Sequence, residues 1–252
     1  MGTFLSTGSG AIVLLLLSIL VLVGLTMLRR RGRLDLQVRE LAAFETLQQQ
    51  LGRATESGKP LHLALGSGSL GSVDTITSLA ALQTLEGLVD TAVSYDVPPI
   101  VTVGDATLLP LAQDILRRAY ERRQIPELYS PGNVRFVAPS SLAYAAGAIA
   151  TGAPEDVTAT VTVGAFGSEV SLLAEASDRR MVPQLAAVDS AQAIGALYPA
   201  VDRLAVGEDL YAVGAQVTGE QKYVVSLIAQ DVLRVALVAA ILVGAVLAWV
   251  GG

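Results

Sequence analysis

The chain has 252 residues, of which 52% are hydrophobic and 16% are charged, and its formal net charge is -6. This composition is too apolar for an ordinary soluble domain and too mixed for a polytopic transporter. The acidic balance argues against a nucleic-acid-binding protein, which usually presents a basic face. The lack of cysteine excludes disulfides, Cys-ligated zinc and thiol nucleophiles.

Two apolar segments predict membrane spans at residues 11–28 and 232–250. Residues 11–28 carry no charge and approach the roughly 20 residues that a helix needs to cross a bilayer. A cleaved signal peptide would have basic residues before the apolar run, but here residues 1–10 have none and four arginines follow the run within residues 29–33. The positive-inside rule therefore predicts a two-pass inner-membrane protein, with both termini outside the cytoplasm and the middle inside.

Residues 29–58 predict a juxtamembrane amphipathic helix and a linker. Apolar residues recur at three- and four-residue intervals from Leu34 to Leu51, which is typical of a helix with one buried face. The sequence RATESGKP, residues 53–60, predicts a break after this helix. At the other end, residues 219–231 predict a second juxtamembrane helix that leads into the second span.

Residues 59–218 predict a cytoplasmic α/β domain in which strands alternate with helices. Alternation of this kind indicates a doubly wound, mostly parallel sheet covered on both faces. The sequence GED at Gly207–Asp209 separates two extended halves, which predicts an antiparallel hairpin at the sheet edge. The predicted strands are Leu61–Leu65, Ile100–Val103, Val134–Ala138, Val157–Val163 and Gln184–Val188, and the predicted helices are Val73–Tyr95, Thr107–Gln124, Ser141–Thr151, Ser168–Met181 and Ser190–Leu197.

The turn after the first strand contains Gly66, Gly68 and Gly71 in the spacing G-x-G-x-x-G. Such a turn opens dinucleotide-binding domains, where free amides at the helix start hold a phosphate. In this chain Ser67 belongs to the same candidate phosphate-binding turn. An acidic residue about twenty positions further on binds the ribose in those domains. Asp105 is at the tip of the second strand but nearly twice as far along. A turn that serves only the fold is the favoured interpretation, and nucleotide binding stays open as the alternative.

No catalytic set, metal site or cofactor is predicted. His62 lies inside the first strand, where a core histidine is the favoured interpretation over a general base. Asp105, Glu169 and Asp189 each follow a strand and could converge on Mg²⁺, but helix capping accounts for them more simply. Neither of the two lysines follows a phosphate-binding glycine loop, which excludes a P-loop kinase or ATPase.

Two further residue sets suggest contacts. The first is a cluster of four arginines at the end of the predicted helix Thr107–Gln124. Cations there suit the helix dipole and a solvated face, and contact with anionic headgroups or with a partner protein is the alternative. The second is a row of small residues, four apart, in the second predicted span, where they would let another helix approach closely. The first set is Arg117, Arg118, Arg122 and Arg123, and the second is Ala236, Ala240, Gly244 and Ala248.

The overall pattern resembles a family of uncharacterised bacterial membrane proteins. The resemblance rests on LALGSGSLGS, on TVGDATLLPLAQDILRRAYERR and on the two flanking apolar segments. It implies no assigned activity. We therefore expect a non-enzymatic membrane scaffold or assembly subunit that forms a homo-oligomer in membrane lipid, with other membrane proteins as further candidate partners. The alternative is a membrane-tethered sensor that binds a nucleotide or another anionic metabolite at the glycine turn.

Overall fold

The computed structural model describes residues 42–152, 156–207, 209–212 and 237. The chain divides into two compact units, residues 1–39 with 220–252 and residues 40–219, and the fold described here is that of the second unit. Both predicted spans and the predicted helix at residues 219–231 lie outside the described residues, except for Leu237. Within the described ranges, no helix combines the length and the apolar character needed to cross a membrane.

A six-stranded sheet forms the centre of the domain. Its order is β3-β2-β1-β4-β5-β6, and each pair of neighbouring strands is parallel. The central strands read as nearly continuous apolar runs because both faces of the sheet are covered. The predicted parallel α/β architecture is confirmed. The strands are β1 His62–Gly66, β2 Ile100–Val103, β3 Val134–Phe136, β4 Thr160–Ala165, β5 Gln184–Val188 and β6 Arg203–Val206.

Helices cover both faces of this sheet. The helices are α1 Ala42–Ser57, α2 Thr75–Ser94, α3 Leu108–Arg122, α4 Ser141–Gly152, α5 Val170–Arg179 and α6 Ala191–Leu197, with short 3-10 turns at Pro126–Leu128 and Pro131–Asn133. On one face α2 packs against α3, while α4, α5 and α6 pack in sequence on the other, and α1 contacts β5 and β6. Strand order reverses between β1 and β4, so the glycine turn after β1 lies at the topological switch point.

Tyr144 lies at the centre of the core on the face of α4, α5 and α6. It is fully buried and packs in one cluster with Phe166, Val170 and Leu173. Its ring centroid is 6.1 Å from that of Phe166. In α4, whose sequence SLAYAAGAIATG is otherwise made of small and aliphatic residues, Tyr144 is the one aromatic side chain. The small residues let the helix approach the sheet closely, and the tyrosine fills the space that remains.

The predicted antiparallel hairpin is not supported. Residues Arg203–Val206 form β6, which pairs in parallel with β5. Gly207 then adopts a φ of +59°, and residues 209–212 are helical, with Leu210 fully buried. A glycine with positive φ serves a strand-to-helix turn as well as a hairpin. The short alternating pattern around it could not separate the two.

Most of the other predicted bounds differ from the observed ones by one or two residues, and two differ by more. The predicted break over residues 53–60 is wrong, because α1 continues to Ser57 and ends where Gly58 adopts a φ of +69°. Leu51 and Ala54 are buried, so tertiary packing sustains the helix through polar residues. β4 begins at Thr160, three residues after the predicted start at Val157.

Candidate functional site

The glycine turn brings β1 and β4 into close contact. Gly66 has a φ of +81°, and a Cβ at this position would overlap the carbonyl of Ala165. The amide of Ser67 donates to the same carbonyl oxygen at 3.1 Å. The strand register also shifts here, between Ala64 and Gly66. Only glycine fits at position 66, because both its backbone angle and the approach of β4 exclude a side chain.

The other two glycines of the motif differ from each other. A Cβ on Gly68 would lie 2.7 Å from both Ser78 Oγ and the Ala165 Cβ. Gly71 has a φ of +88°, but open space surrounds it. α2 begins only at Thr75, so Gly71 lies in the loop and does not mediate packing between helix and strand, which is the role of the third glycine in a dinucleotide-binding turn. The motif therefore matches the dinucleotide fingerprint in its first two glycines only.

Side chains of the domain hold most of this loop in place. The amide of Leu70 donates to Thr107 Oγ1 at 3.1 Å, and the amide of Gly71 donates to Thr75 Oγ1 at 2.9 Å. The amide of Asp74 donates to Ser72 Oγ at 3.1 Å. The amides of Gly68 and Ser69 make no hydrogen bond to any residue that the structure describes. The amides of Ser72 and Val73 likewise make none, so these four amides are the donors that the loop offers to a ligand.

Asp105 lies next to the glycine turn but is engaged in its own turn. The amide of Gly104 donates to the carbonyl of Gly66 at 2.9 Å, which joins the end of β2 to the end of β1. Asp105 Oδ1 accepts from the amide of Thr107 at 2.8 Å and also from the Thr107 hydroxyl. The carboxylate thus organises the turn that leads into α3.

The three carboxylates that follow strands do not converge. Glu169 Oε1 accepts from the amide of Gly167 at 2.8 Å, within its own turn. Asp189 Oδ2 accepts from the hydroxyl of Thr77, which also lies 3.5 Å from the hydroxyl of Tyr211. In the described part of the chain, no three potential metal ligands come together. Asp105 and Glu169 bond within their own turns, whereas Asp189 bonds across the fold to α2. Glu169 makes no side-chain bond that caps α5, and Ser190 caps α6 in place of Asp189, so helix capping does not account for these two carboxylates.

The loops at the carboxyl ends of the strands are acidic. Asp74, Asp105, Glu169, Asp189 and Asp209 lie in these loops or at the starts of the helices that follow them. Residues 67–74, 104–107, 137–140, 166–169 and 189–190 contain no lysine or arginine. A pyrophosphate at this edge would meet carboxylates without a compensating cation in these loops, which is unfavourable.

A buried chain of polar groups links His62 to the glycine turn. His62 Nε2 lies 3.0 Å from Thr102 Oγ1, which lies 3.2 Å from the hydroxyl of Tyr144. That hydroxyl donates to the carbonyl of Thr102 at 3.1 Å and accepts from the amide of Gly66 at 3.2 Å. Sequence reasoning missed Thr102 and Tyr144. The lone aromatic in α4 was the signal that could have indicated the tyrosine.

Burial shifts the pKa values of both titratable groups in this buried series of hydrogen bonds. Burial, together with the positive charges of Arg135 and Arg180, lowers the pKa of His62 to about 4. Burial raises the pKa of Tyr144 to about 12. His62 is therefore neutral at physiological pH. It is 3% exposed, so it acts as a structural core residue.

The four arginines at the end of α3 pair with groups of their own domain. Arg117 contacts Asp114 and Glu121, and Arg118 lies 2.6 Å from Asp114. Arg122 lies 2.7 Å from Asp90, and Arg123 donates to the backbone carbonyl of Asp90 at 3.2 Å. These exposed contacts account for the cluster as a solvated face. Each exposed pair contributes little to stability.

Comparison with known proteins identifies a family without an assigned activity. No curated protein and no solved structure gives a significant match to the chain. Residues 3–252 match the family described as a domain of unknown function, DUF6754. Because the match extends over nearly the whole sequence, the chain belongs to the DUF6754 family.

Proposed function

We propose that the chain is a non-enzymatic, membrane-anchored scaffold or assembly subunit that forms a homo-oligomer. The observation that carries this proposal is an exposed row of apolar side chains on the first turns of α2 and in the loop just before it. The row consists of Val73, Ile76 and Leu79, which are 96%, 67% and 50% exposed. An apolar surface left in water on a folded domain is typical of an interaction site.

The polar groups beside this row support a binding surface without catalysis. Thr75 and Thr107 hold the amides of the glycine loop, and Asp105 holds the Thr107 turn. Tyr144 is buried beneath the glycine turn, and Thr102 links it to the buried His62 at the start of β1. The polar side chains here thus serve to fix the shape of the carboxyl edge. A fixed apolar row surrounded by polar loops has the anatomy of a protein interface.

A second copy of the chain is the proposed occupant of the row. Two identical rows related by a twofold axis can bury each other, because an isologous interface uses the same patch on both subunits. The predicted face Ala236, Ala240, Gly244 and Ala248, outside the described residues, would pair spans of two copies. Pairing in the bilayer raises the effective concentration of one domain near the other. A weak contact at the row then suffices for assembly.

Cross-linking in native membranes tests this proposal. Because the row and the span are two separate contacts that can join different neighbours, we expect a ladder that extends beyond the dimer. Ile76→Glu should weaken the ladder several-fold, because it places a carboxylate in the contact. Gly244→Leu should weaken it similarly by separating the spans. Leu172→Glu is the matched control, because Leu172 is another exposed leucine, 41% exposed, on α5 of the opposite face. A monodisperse monomer in mild detergent with no ladder in membranes would contradict the proposal.

A second candidate, a membrane-tethered sensor, is supported by the position of the glycine turn. The turn lies at the switch point between β1 and β4, where parallel α/β sheets bind ligands. The unbonded amides of Gly68 and Ser69 favour an anionic group there, whereas the acidic loops oppose one. The scaffold proposal therefore comes first.

Titration of the full-length chain with NAD, ATP or a cyclic nucleotide separates the two candidates. We expect no saturable binding below millimolar concentration. Saturable binding that Asp105→Ala weakens, at an unchanged unfolding temperature, would place the sensor first. The unfolding temperature is the control here, because Asp105 also holds the turn into α3.

A further inference from the structure

A groove runs along the amino ends of the strands, at the edge of the sheet opposite the glycine turn. It consists of two adjoining clefts of about 540 and 420 Å³, which share Arg53 and residues 181–183. α1 forms one wall, and the segments before β1, β4, β5 and β6 contribute to the other walls. Volumes of this size fall in the range of small-molecule sites, and both clefts are open to solvent. We call this feature the amino-edge groove.

Gln50 lines the smaller cleft, and its Oε1 atom is turned into the protein without a hydrogen-bond partner among the described residues. The residue is 7% exposed. A buried amide oxygen without a donor is unfavourable, so native proteins rarely retain one without a reason. The terminal torsion of a glutamine is soft, which lets the amide turn its oxygen towards the cleft. A ligand with an N–H donor would satisfy this atom.

Charged side chains of both signs surround that acceptor. Arg53 lines both clefts and makes no ion pair among the residues that the structure describes. Asp178 and Asp202 line the smaller cleft together with Gln50, and Asp202 Oδ2 accepts from the amide of Gln184 at 2.7 Å. In the larger cleft, Lys59 is engaged with Asp156 at 2.7 Å. Arg53 is therefore the cation at the junction of the two clefts, next to the smaller cleft, which is rich in hydrogen-bond acceptors.

We propose that the amino-edge groove binds a small zwitterion of the amino-acid class. Its ammonium group donates to Gln50 Oε1 and to the carboxylates of Asp178 and Asp202. Its carboxylate accepts from the Arg53 guanidinium, whose planar fork matches a carboxylate. Residues 181–183 offer an apolar wall to the side chain of the ligand.

The combination of groups selects this ligand class. Gln50 with the two aspartates would accept a simple amine, and Arg53 alone would accept a simple carboxylate. Their placement in one groove favours a molecule that carries both groups. The groove lies at the opposite edge of the sheet from the apolar row, so this inference is independent of the proposed scaffold function.

Calorimetric titration of the full-length chain, purified in mild detergent, tests the proposal. The probes are the twenty amino acids, each titrated alone, with ethylamine and acetate as ligands that carry only one of the two charged groups. We expect saturable binding of at least one amino acid, and binding of ethylamine and acetate that is at least tenfold weaker. Absence of saturable amino-acid binding, or equally tight binding of acetate, would overturn the proposal.

Two variants with matched controls assign the binding to this groove. Gln50→Leu should weaken binding at least tenfold without lowering the unfolding temperature, because it also removes an unsatisfied polar atom. Arg53→Gln should weaken binding to a similar extent. Because Arg53 is exposed, we expect this substitution to leave the unfolding temperature unchanged. The controls are Gln83→Leu, which removes another buried unpaired amide atom outside the groove, and Arg118→Gln on α3. Unchanged binding in Gln50→Leu and Arg53→Gln would contradict the assignment.

Discussion

At the scale of single residues, the domain fixes its glycine turn with a buried polar chain. Tyr144 satisfies the amide of Gly66 from below, while Thr102 joins the tyrosine to His62. These groups are costly to bury unless each one is paired. Pairing them across three elements specifies how β1, β2 and α4 align.

The buried His62 makes stability depend on pH. Its folded-state pKa of about 4 lies below the ordinary value of 6.5, so the unfolded chain binds a proton first as the pH falls. Stability is therefore complete above pH 6.5 and decreases between pH 6.5 and pH 4, by up to about 3 kcal/mol. Urea unfolding at pH 7 and at pH 4.5 measures this loss.

The His62→Gln variant isolates the contribution of the histidine. Glutamine does not titrate, and its amide can still donate to Thr102. We expect its stability to fall less with acidification than that of the wild type, because the carboxylates contribute equally to both proteins. Equal losses in the two proteins would exclude His62 as the cause.

At the scale of elements, replacing glycines inside helices by alanine distinguishes the effect of side-chain packing on stability from the effect of helix propensity. A Cβ on Gly52 of α1 would have no atom within 4 Å, whereas a Cβ on Gly147 of α4 would collide with the Val137 side chain. Gly52→Ala should therefore stabilise the domain by up to about 1 kcal/mol through helix propensity. Gly147→Ala should destabilise it by about 1–3 kcal/mol through overpacking.

Urea midpoints of the two alanine variants check this prediction under identical conditions. Gly195→Ala on α6, whose Cβ would also lie in open space, is the control for Gly52→Ala. A gain in stability for Gly147→Ala would show that α4 can shift away from the strand end, against the close packing described here.

At the scale of the whole molecule, the predicted topology places the α/β domain in the cytoplasm. A cysteine that replaces Ser57, which is exposed at the end of α1, should resist an impermeant thiol reagent in intact cells. A cysteine that replaces Ser6 should react, because the arginines of residues 29–33 keep the following segment inside. The natural chain has no cysteine, so labelling reports each site alone. The reverse labelling pattern would invert the proposed orientation.

The sequence by itself determined the class of fold and the identity of most elements. Strands β2 and β5 match their predicted bounds, because buried parallel strands are short apolar runs that end at glycine or polar residues. The family match likewise follows from the sequence. The local pattern failed where one signal serves two structures, as at Gly207, and where burial sustains a helix through polar residues, as between Leu51 and Ser57.

Only the tertiary structure decided which groups meet. His62, Thr102 and Tyr144 are far apart in the sequence, and their contacts depend on the order of the strands in the sheet. The sequence pattern therefore did not predict them. The same is true of the amino-edge groove, where Gln50 and Asp202 come from elements far apart in the chain. Likewise, the sequence shows that Val73, Ile76 and Leu79 are apolar, but only the fold leaves them uncovered. Local periodicity records which face of an element is apolar, whereas long-range packing determines what that face contacts.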